Sequence, residues 1–283
     1  MPLSRRGSGP EPALSALLSQ VHPVFMLPPL AASLFGGVLA GGVDPVVAGL
    51  HVVAIFSAVY TAHVKDGYVD FHVRGEDDDH PLTERGCRAA LAGVSVLFAA
   101  CLAGLWVAVG PGAALITLPT WLIGFHHAPQ LDMNPVTATT GYPLGIAVAL
   151  VGGHYVQAGA LGATALAFGL VFLVLLSGVK VIDDAQDYDY DRSISKRTVA
   201  VVLGRERART AAFLLMATAL LAVVAFAVAE LFPPSSVLAV LAFGAVALAA
   251  RRADPETATM LLVRGSYVFL AVLVAAVWFE PLG

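Results

Sequence analysis

Five aspartates occur within nine residues, 183–191, directly after a long apolar run that ends at Val179. Charged groups that leave a membrane segment need water, a metal ion or an opposite charge around them. If a helix continues through this stretch, Asp184, Asp187 and Asp191 share one face, because they lie three and four residues apart. Carboxylates at that spacing can hold Mg²⁺, whose shell commonly includes substrate phosphates. The stretch predicts a metal–phosphate site, with a solvated acidic helix end as the alternative.

A second acidic stretch, residues 65–79, follows another apolar run. On a helix, Asp66 and Asp70 lie one turn apart, and Arg74 lies one turn further along the same face. Taken alone, this pattern is also that of a solvated acidic loop. If the two stretches lie at the same depth on the same side of a membrane, they can face each other. We then expect two Mg²⁺ ions around one diphosphate.

The composition indicates an all-α integral membrane protein built mostly of spanning helices. Of the 283 residues, 58% are hydrophobic and 13% are charged, whereas soluble domains carry about 25% charged residues. The formal net charge is −4, and no basic patch with interleaved aromatic residues occurs, which excludes a nucleic-acid partner. Cys87 and Cys101 would lie about 21 Å apart on one helix, too far for a disulfide.

Nine apolar segments are candidates to span a bilayer as a single domain over residues 1–283, and residues 1–20 precede the first of them. The segments are 23–41, 46–65, 87–109, 111–127, 138–156, 159–181, 208–231, 235–250 and 259–279. Turn-forming residues separate several of them, as at 41–45, 110–112 and 232–236.

The distribution of cations supports this count. With residues 1–20 in the cytoplasm and nine spans, all 16 Lys and Arg residues fall on the cytoplasmic side, in agreement with the positive-inside rule. Both acidic stretches are then cytoplasmic too. We expect a multi-pass protein of the inner or plasma membrane.

The acidic stretch 183–191 resembles a motif of the UbiA superfamily of intramembrane prenyltransferases. It fits the form N/D-D-x-x-D-x-x-x-D at every position, and residues 192–204 continue the family pattern. The first acidic stretch departs from the family form, because Val69 and Val73 stand where aspartates are usual. The nearest carboxylate to the first of these positions is Asp70, one place late.

Two further segments strengthen the resemblance. Residues 80–82 and 22–23 carry His-Pro where the family shows Arg-Pro, and residues 125–157 are similar to the branch that makes menaquinone and related quinones. A lysine that the family often has after the fourth helix is absent, and Asp132 or Asn134 stands near its place.

The resemblance implies a bundle of nine transmembrane helices around a central cavity open to the cytoplasmic side. It also implies a transferase that moves an isoprenyl group from a prenyl diphosphate to a lipophilic, aromatic quinone precursor with Mg²⁺. The alternatives are transfer to a glycerol-type lipid or a carotenoid, and a carboxylate-based membrane carrier. Carriers place their charges near the bilayer midplane, whereas these charges cluster at one face.

Each candidate residue then has an expected role. The metal ligands would be Asp66, Asp70, Asp184, Asp187 and Asp191. The diphosphate partners would be Lys180, Arg74, Arg192, Lys196 and Arg197. The candidates for catalysis or acceptor binding are His63, Tyr68 and Tyr188. Lys180 could instead pair with Asp184, and His63 could simply pack against a neighbouring helix.

Overall fold

The computed structural model describes residues 2–282, and within them it contains no β-strand, only an isolated antiparallel bridge between Ser4 and Leu82. The helices are α1 (Pro10–Leu18), α2 (Pro23–Leu39), α3 (Pro45–Gly67), α4 (Glu84–Ala108), α5 (Pro111–His126), α6 (Pro135–Ala158), α7 (Ala163–Asp184), α8 (Tyr188–Ser193), α9 (Val199–Leu203), α10 (Arg205–Val228), α11 (Val237–Ala250) and α12 (Pro255–Phe279). Two π-helical segments, Tyr68–Arg74 and His127–Leu131, continue α3 and α5, and a 3₁₀ turn, Pro234–Ser236, precedes α11.

Proline and short polar residues set the helix starts. Proline occupies the first position of α2, α3, α5, α6 and α12, where its missing N–H would be unpaired in any case. The side chains of Asp44, Asn134 and Asp254 accept hydrogen bonds from first-turn N–H groups of α3, α6 and α12. The breaks predicted at residues 41–45 and 110–112 are accordingly where α3 and α5 begin.

Each of the nine predicted apolar segments coincides with a helix, but fewer than nine of these helices meet the length and hydropathy expected of a span. Six do: α3 with its π-helical extension, α4, α6, α7, α10 and α12. A seventh is counted if α1 and α2, which meet at a 67° bend, form one span. The shortfall arises because α2, α5 and α11 have 17, 16 and 14 residues, whereas a bilayer needs about 20.

The packing centres on α7, which contacts α6 on one side and α10 on the other. Phe168, Phe172 and Phe269 lie in the largest buried cluster, between α7 and the helices α10, α11 and α12. Helices α2 and α6 approach to backbone contact, because a methyl group on Gly36 would lie 2.0 Å from the carbonyl oxygen of Leu150. These contacts surround a space bounded by α2, α3, α5, α6, α7 and α12.

Candidate functional site

A cavity of about 660 Å³ occupies this space, and both acidic stretches contribute to its walls. Asp66 and Asp70 reach it from the end of α3, and Lys180 and Asp183 reach it from the end of α7. Most other lining residues are apolar, among them Ile55, Ile146, Leu176, Val179 and Val263. The cavity therefore has one charged end and a long apolar remainder.

The first acidic stretch keeps its helical course but changes its pitch. Asp66 lies in the last turn of α3, and Asp70 lies in the π-helical segment that follows. Gly75 ends this segment with a φ of 65°, a conformation that glycine adopts without the strain of a side chain. Single π-helical turns often occur at functional sites, and this one brings Asp70 into the cavity wall.

Arg74 links the first acidic stretch to the loop before α6. Its Nη1 lies 2.8 Å from Asp132 Oδ2 and 3.3 Å from Asp70 Oδ1. The side chains of Arg74 and Asp132 are only 15% and 10% exposed. Sequence reasoning noted Asp132 merely as the residue near a missing lysine. It carries no local signal for this role, because its partner lies far away along the chain.

The second acidic stretch does not form the single continuous helix that the i, i+3, i+7 argument assumed. Helix α7 ends at Asp184, and α8 starts only at Tyr188. The prediction that Asp184, Asp187 and Asp191 share one face of a continuous helix is therefore wrong. Asp183, rather than these three, reaches the cavity.

Lys180 forms two ion pairs with this stretch. Its Nζ lies 2.8 Å from Asp183 Oδ2 and 2.7 Å from Asp184 Oδ1. The pairing with Asp184 that the spacing allowed is thus present, and Lys180 also lines the cavity. Asp184 is buried, and its second oxygen, Oδ2, has no hydrogen-bond partner.

Asp187 and Asp191 lie beyond the break. Asp191 is 1% exposed, its Oδ1 lies 3.4 Å from Lys196 Nζ, and that oxygen has no hydrogen-bond partner. Desolvation raises the pKa of Asp187, and the nearby carboxylates of Asp183 and Asp191 raise it further. Mutual repulsion of this kind favours the uptake of a cation among the carboxylates.

The two acidic stretches approach each other at α8. Desolvation and the neighbouring Glu76 carboxylate raise the pKa of Tyr190 to about 12, and the charge of Asp70 adds to this effect. A residue of the second stretch therefore lies within electrostatic range of the first. Both stretches follow the C-terminal ends of their helices, α3 and α7, at one end of the bundle.

The predicted diphosphate partners are not all brought to the cavity. Lys180 lines it. Arg74, Arg192, Lys196 and Arg197 lie outside its lining, and of these Arg192 and Arg197 are exposed. Arg6, which sequence reasoning counted only for topology, does line the cavity and pairs with the exposed Asp79 at 2.6 Å. The N-terminal segment reaches this position through its bridge to Leu82.

Of the three catalytic candidates, His63 alone lines the cavity. Its Nδ1 lies 3.1 Å from Nδ1 of His22, a second lining residue, and 3.3 Å from the carbonyl oxygen of Gln20. Tyr68 lies outside the lining and donates its hydroxyl to Glu84 Oε1 at 3.3 Å. Tyr188 also lies outside it, beneath the guanidinium group of Arg205.

One cluster of metal-ligating side chains lies beside the first acidic stretch. Among residues 2–282, the one group of three His, Cys, Asp or Glu residues with ligand atoms within 4.8 Å of one another is His72, His80 and Cys87. His72 Nε2 and His80 Nδ1 each lie 3.2 Å from the carbonyl oxygen of Leu82. Hydrogen bonding to Leu82 accounts for one nitrogen of each imidazole, whereas the buried His80 Nε2 has no hydrogen-bond partner.

Comparison with models of known protein families identifies one family that matches this chain. The model of the UbiA prenyltransferase family matches residues 26–273. A search of curated protein sequences finds no match.

Solved structures show the same fold at low sequence identity. The structure resembles that of a UbiA homolog from Aeropyrum pernix K1, with a TM-score of 0.70 and 15% identity over 90% of this chain and 98% of that one. It resembles a structure of digeranylgeranylglyceryl phosphate synthase, with a TM-score of 0.72 and 13% identity over 94% of this chain and 98% of that one. It also resembles a UbiA homolog from Archaeoglobus fulgidus bound to GPP and Mg²⁺, with a TM-score of 0.59 and 16% identity over 94% and 99%.

Proposed function

The chain belongs to the UbiA prenyltransferase family, and we propose that it transfers an isoprenyl group from a prenyl diphosphate to a lipophilic aromatic acceptor, with release of diphosphate. One observation carries the proposal: Asp66, Asp70, Lys180 and Asp183 line the charged end of a single cavity whose remainder is apolar. Such a cavity matches a substrate with a charged head and a hydrocarbon tail.

The carboxylates at the charged end fit Mg²⁺. Magnesium prefers oxygen ligands and commonly shares them with substrate phosphates, and the buried Asp184 Oδ2 and Asp191 Oδ1 have no hydrogen-bond partner. The ligands would be Asp66 and Asp70 in the cavity wall and Asp184, Asp187 and Asp191 outside its lining. We add Asp183, because it lines the cavity. When bound, Mg²⁺ would stabilise the negative charge that develops on the departing diphosphate. A related protein of the same fold is bound to GPP and Mg²⁺.

The remaining polar residues orient the diphosphate. The ammonium group of Lys180 lines the cavity and pairs with Asp183 and Asp184, and its third N–H can donate to a phosphate oxygen. Arg6 lines the same cavity and is a second candidate donor. The other four predicted partners would act only after a movement toward the cavity. Arg74 is held by Asp132 and Lys196 by Asp191, and Arg192 and Arg197 are exposed.

The apolar part of the cavity would shield the reacting carbon. An allylic group that loses diphosphate is electron-poor and is readily captured by water, so apolar walls that exclude water favour transfer to the acceptor. Ile55, Ala58 and Val59 line the cavity near His63. His63 can accept a hydrogen bond or a proton from an acceptor hydroxyl at this wall.

The likeness of residues 125–157 to the quinone-making branch supports an aromatic acceptor. His127, which belongs to this segment, lines the cavity with His22 and His63. With His80, four imidazole groups line this cavity, and they suit a ring that carries hydroxyl or carbonyl groups. A glycerol-type lipid and a carotenoid precursor remain the acceptors to compare.

We further propose a nine-span topology with the charged end of the cavity on the cytoplasmic side. The short helices α2, α5 and α11 would then cross a bilayer that is locally thinned or would include their flanking turns. All 16 cations fall on one side in that arrangement.

The function can be tested with the protein in lipid vesicles, labelled geranylgeranyl diphosphate, Mg²⁺ and the three acceptor classes. We expect transfer to the aromatic acceptor, and its loss with EDTA or in Asp187→Asn. Asp70→Asn should lower the rate on the order of 100-fold, the scale of losing a group that stabilises transition-state charge. Asp78→Asn is the matched control, because Asp78 is exposed in the same loop and lies outside the cavity lining, and it should stay near the parent rate.

Two outcomes would overturn the proposal. Parent-level transfer by Asp187→Asn would exclude the metal site, and equal losses in Asp70→Asn and Asp78→Asn would exclude Asp70 from it. Transfer only to a glycerol-type lipid or a carotenoid precursor would replace the acceptor class while leaving the donor chemistry intact.

A further inference from the structure

We propose that Tyr142 and Tyr267 determine which prenyl chains the cavity accepts, because their hydroxyl groups hold the first turns of α2 in place as one wall of the cavity. The consequence for substrate choice rests on the proposed function. The contacts themselves do not, and they can be tested separately.

Helix α2 contains two adjacent prolines, Pro28 and Pro29. In an α-helix the N–H of each residue donates to the carbonyl oxygen four residues earlier, and proline has no N–H. The carbonyl oxygens of Val24 and Phe25 therefore lose their helical donors. An unpaired carbonyl in apolar surroundings is unfavourable, so both oxygens require a donor from elsewhere.

Two tyrosines supply those donors. Tyr267 of α12 donates its hydroxyl to the carbonyl oxygen of Val24, and Tyr142 of α6 donates its hydroxyl to the carbonyl oxygen of Phe25 at 2.9 Å. Each hydrogen bond that a proline removes is thus replaced by one tyrosine. The replacements come from two different helices and tie the same turn of α2 to both.

The two halves of α2 are held in different ways. Near its C-terminal end, α2 lies in backbone contact with α6, because methyl groups on Gly36 and Gly153 would each lie 2.0 Å from a carbonyl oxygen of the other helix. Against α12, by contrast, α2 packs at only a few positions. The tyrosine bonds therefore act on the N-terminal part of α2, before Pro28 and Pro29, whereas the glycine contacts act after them.

The tied turn is part of the cavity wall. Phe25, Pro28, Pro29, Tyr142 and Tyr267 all line the cavity. The position of this turn therefore determines the width of the apolar part, where the prenyl chain would lie. A released turn would admit longer or bulkier chains and hold short ones less tightly.

Two double-mutant cycles test the pairing. Pro28→Ala and Pro29→Ala each restore an N–H that can bond to the orphaned carbonyl. Tyr267→Phe should therefore lower the thermal unfolding midpoint of the parent protein but have little effect on the midpoint of the Pro28→Ala variant. In the same way, Tyr142→Phe should lower the midpoint of the parent protein but have little effect on that of the Pro29→Ala variant. The crossed pairs, Tyr267→Phe with Pro29→Ala and Tyr142→Phe with Pro28→Ala, share no carbonyl oxygen and should therefore couple more weakly than the matched pairs.

The substrate consequence is measured on the same variants. We expect Tyr142→Phe and Tyr267→Phe each to lower kcat/KM for geranyl diphosphate relative to geranylgeranyl diphosphate by about fivefold, the size expected for one hydrogen bond. Both variants keep the aromatic ring in the wall. Tyr155→Phe is the control, because Tyr155 lies on α6 as well but packs against Gly112 at the other end of that helix.

Each result decides one part of the proposal. Equal effects in matched and crossed backgrounds would overturn the tyrosine–proline pairing. If the unfolding midpoints show coupling in the matched pairs but the preference between prenyl diphosphates is unchanged, the specificity role would be overturned. Absence of prenyl transfer by the parent protein would overturn the proposed function and the specificity role together, while the midpoints would still decide the pairing.

Discussion

At the scale of single residues, the charges around the cavity are held in ion pairs, some between elements and some within one helix. Arg74 at the end of the π-helical segment binds Asp132 in the loop before α6, and both side chains are largely buried. Lys180 binds two carboxylates within its own helix. Removing one member of a buried pair leaves a charge without compensation and is far more costly than removing an exposed pair.

This difference gives a prediction for Asp132. Asp132→Asn should lower the free energy of unfolding by about 3 kcal/mol, the scale for breaking a buried pair. Arg74→Gln should be at least as destabilising, because it leaves both Asp132 and Asp70 without this partner. Denaturation of the purified protein in detergent measures all the variants.

Asp189→Asn provides the matched control. Asp189 pairs with Arg205 at 2.9 Å, but its side chain is 82% exposed, and exposed pairs contribute little. A similar loss of stability in Asp132→Asn and Asp189→Asn would contradict the role given to Asp132.

At the scale of elements, close helix packing at glycine positions shapes the cavity. A methyl group on Gly153 would lie 2.0 Å from the carbonyl oxygen of Ser33 in α2. Because the obstructing atom belongs to the backbone, the two helices would have to move apart. In membranes, small residues at such contacts are a main source of helix association.

Gly153→Ala should therefore lower the thermal unfolding midpoint, since overpacking of this kind costs about 1–3 kcal/mol. Gly93→Ala in α4 is the control, because nothing lies within 4 Å of the position of its added methyl group. That substitution should be neutral or slightly stabilising, since alanine favours helix more than glycine does. Scanning calorimetry or a thermal shift assay would compare the two, and equal midpoints would show that α2 and α6 are not in backbone contact.

At the scale of the whole molecule, the distribution of charge supports the proposed orientation. Sixteen Lys and Arg residues fall on one side of a nine-span arrangement, and a large bias of this kind normally determines which side faces the cytoplasm. The acidic ends of α3 and α7 would then meet substrate from the cytoplasmic side.

Thiol labelling in intact cells would test the orientation. Gly42→Cys, in the loop between α2 and α3, should react with a membrane-impermeant reagent from outside. Asp78→Cys, in the loop between the first acidic stretch and α4, should react only after permeabilisation. Both positions are exposed, and the native Cys87 and Cys101 are buried, so the parent protein provides the background. The reverse labelling pattern would contradict the proposed orientation.

The amino-acid sequence by itself determined the features that depend on local pattern. Apolar runs of sufficient length predict helices, proline and glycine mark where they begin and end, and the spacing of aspartates in 183–191 carries the family resemblance. The family match over residues 26–273 confirmed that resemblance. His63 was singled out because it lies one turn before Asp66, and the structure places it in the cavity.

The tertiary structure decided what depends on the meeting of distant segments. No periodicity in 183–191 reveals that the helix breaks after Asp184, or that Asp183 rather than Asp187 lines the cavity. The partners Arg74–Asp132 and Tyr142–Phe25 are 58 and 117 residues apart. Because such contacts are selected by the shape of the assembled helices, the sequence could supply their chemistry but not their pairing.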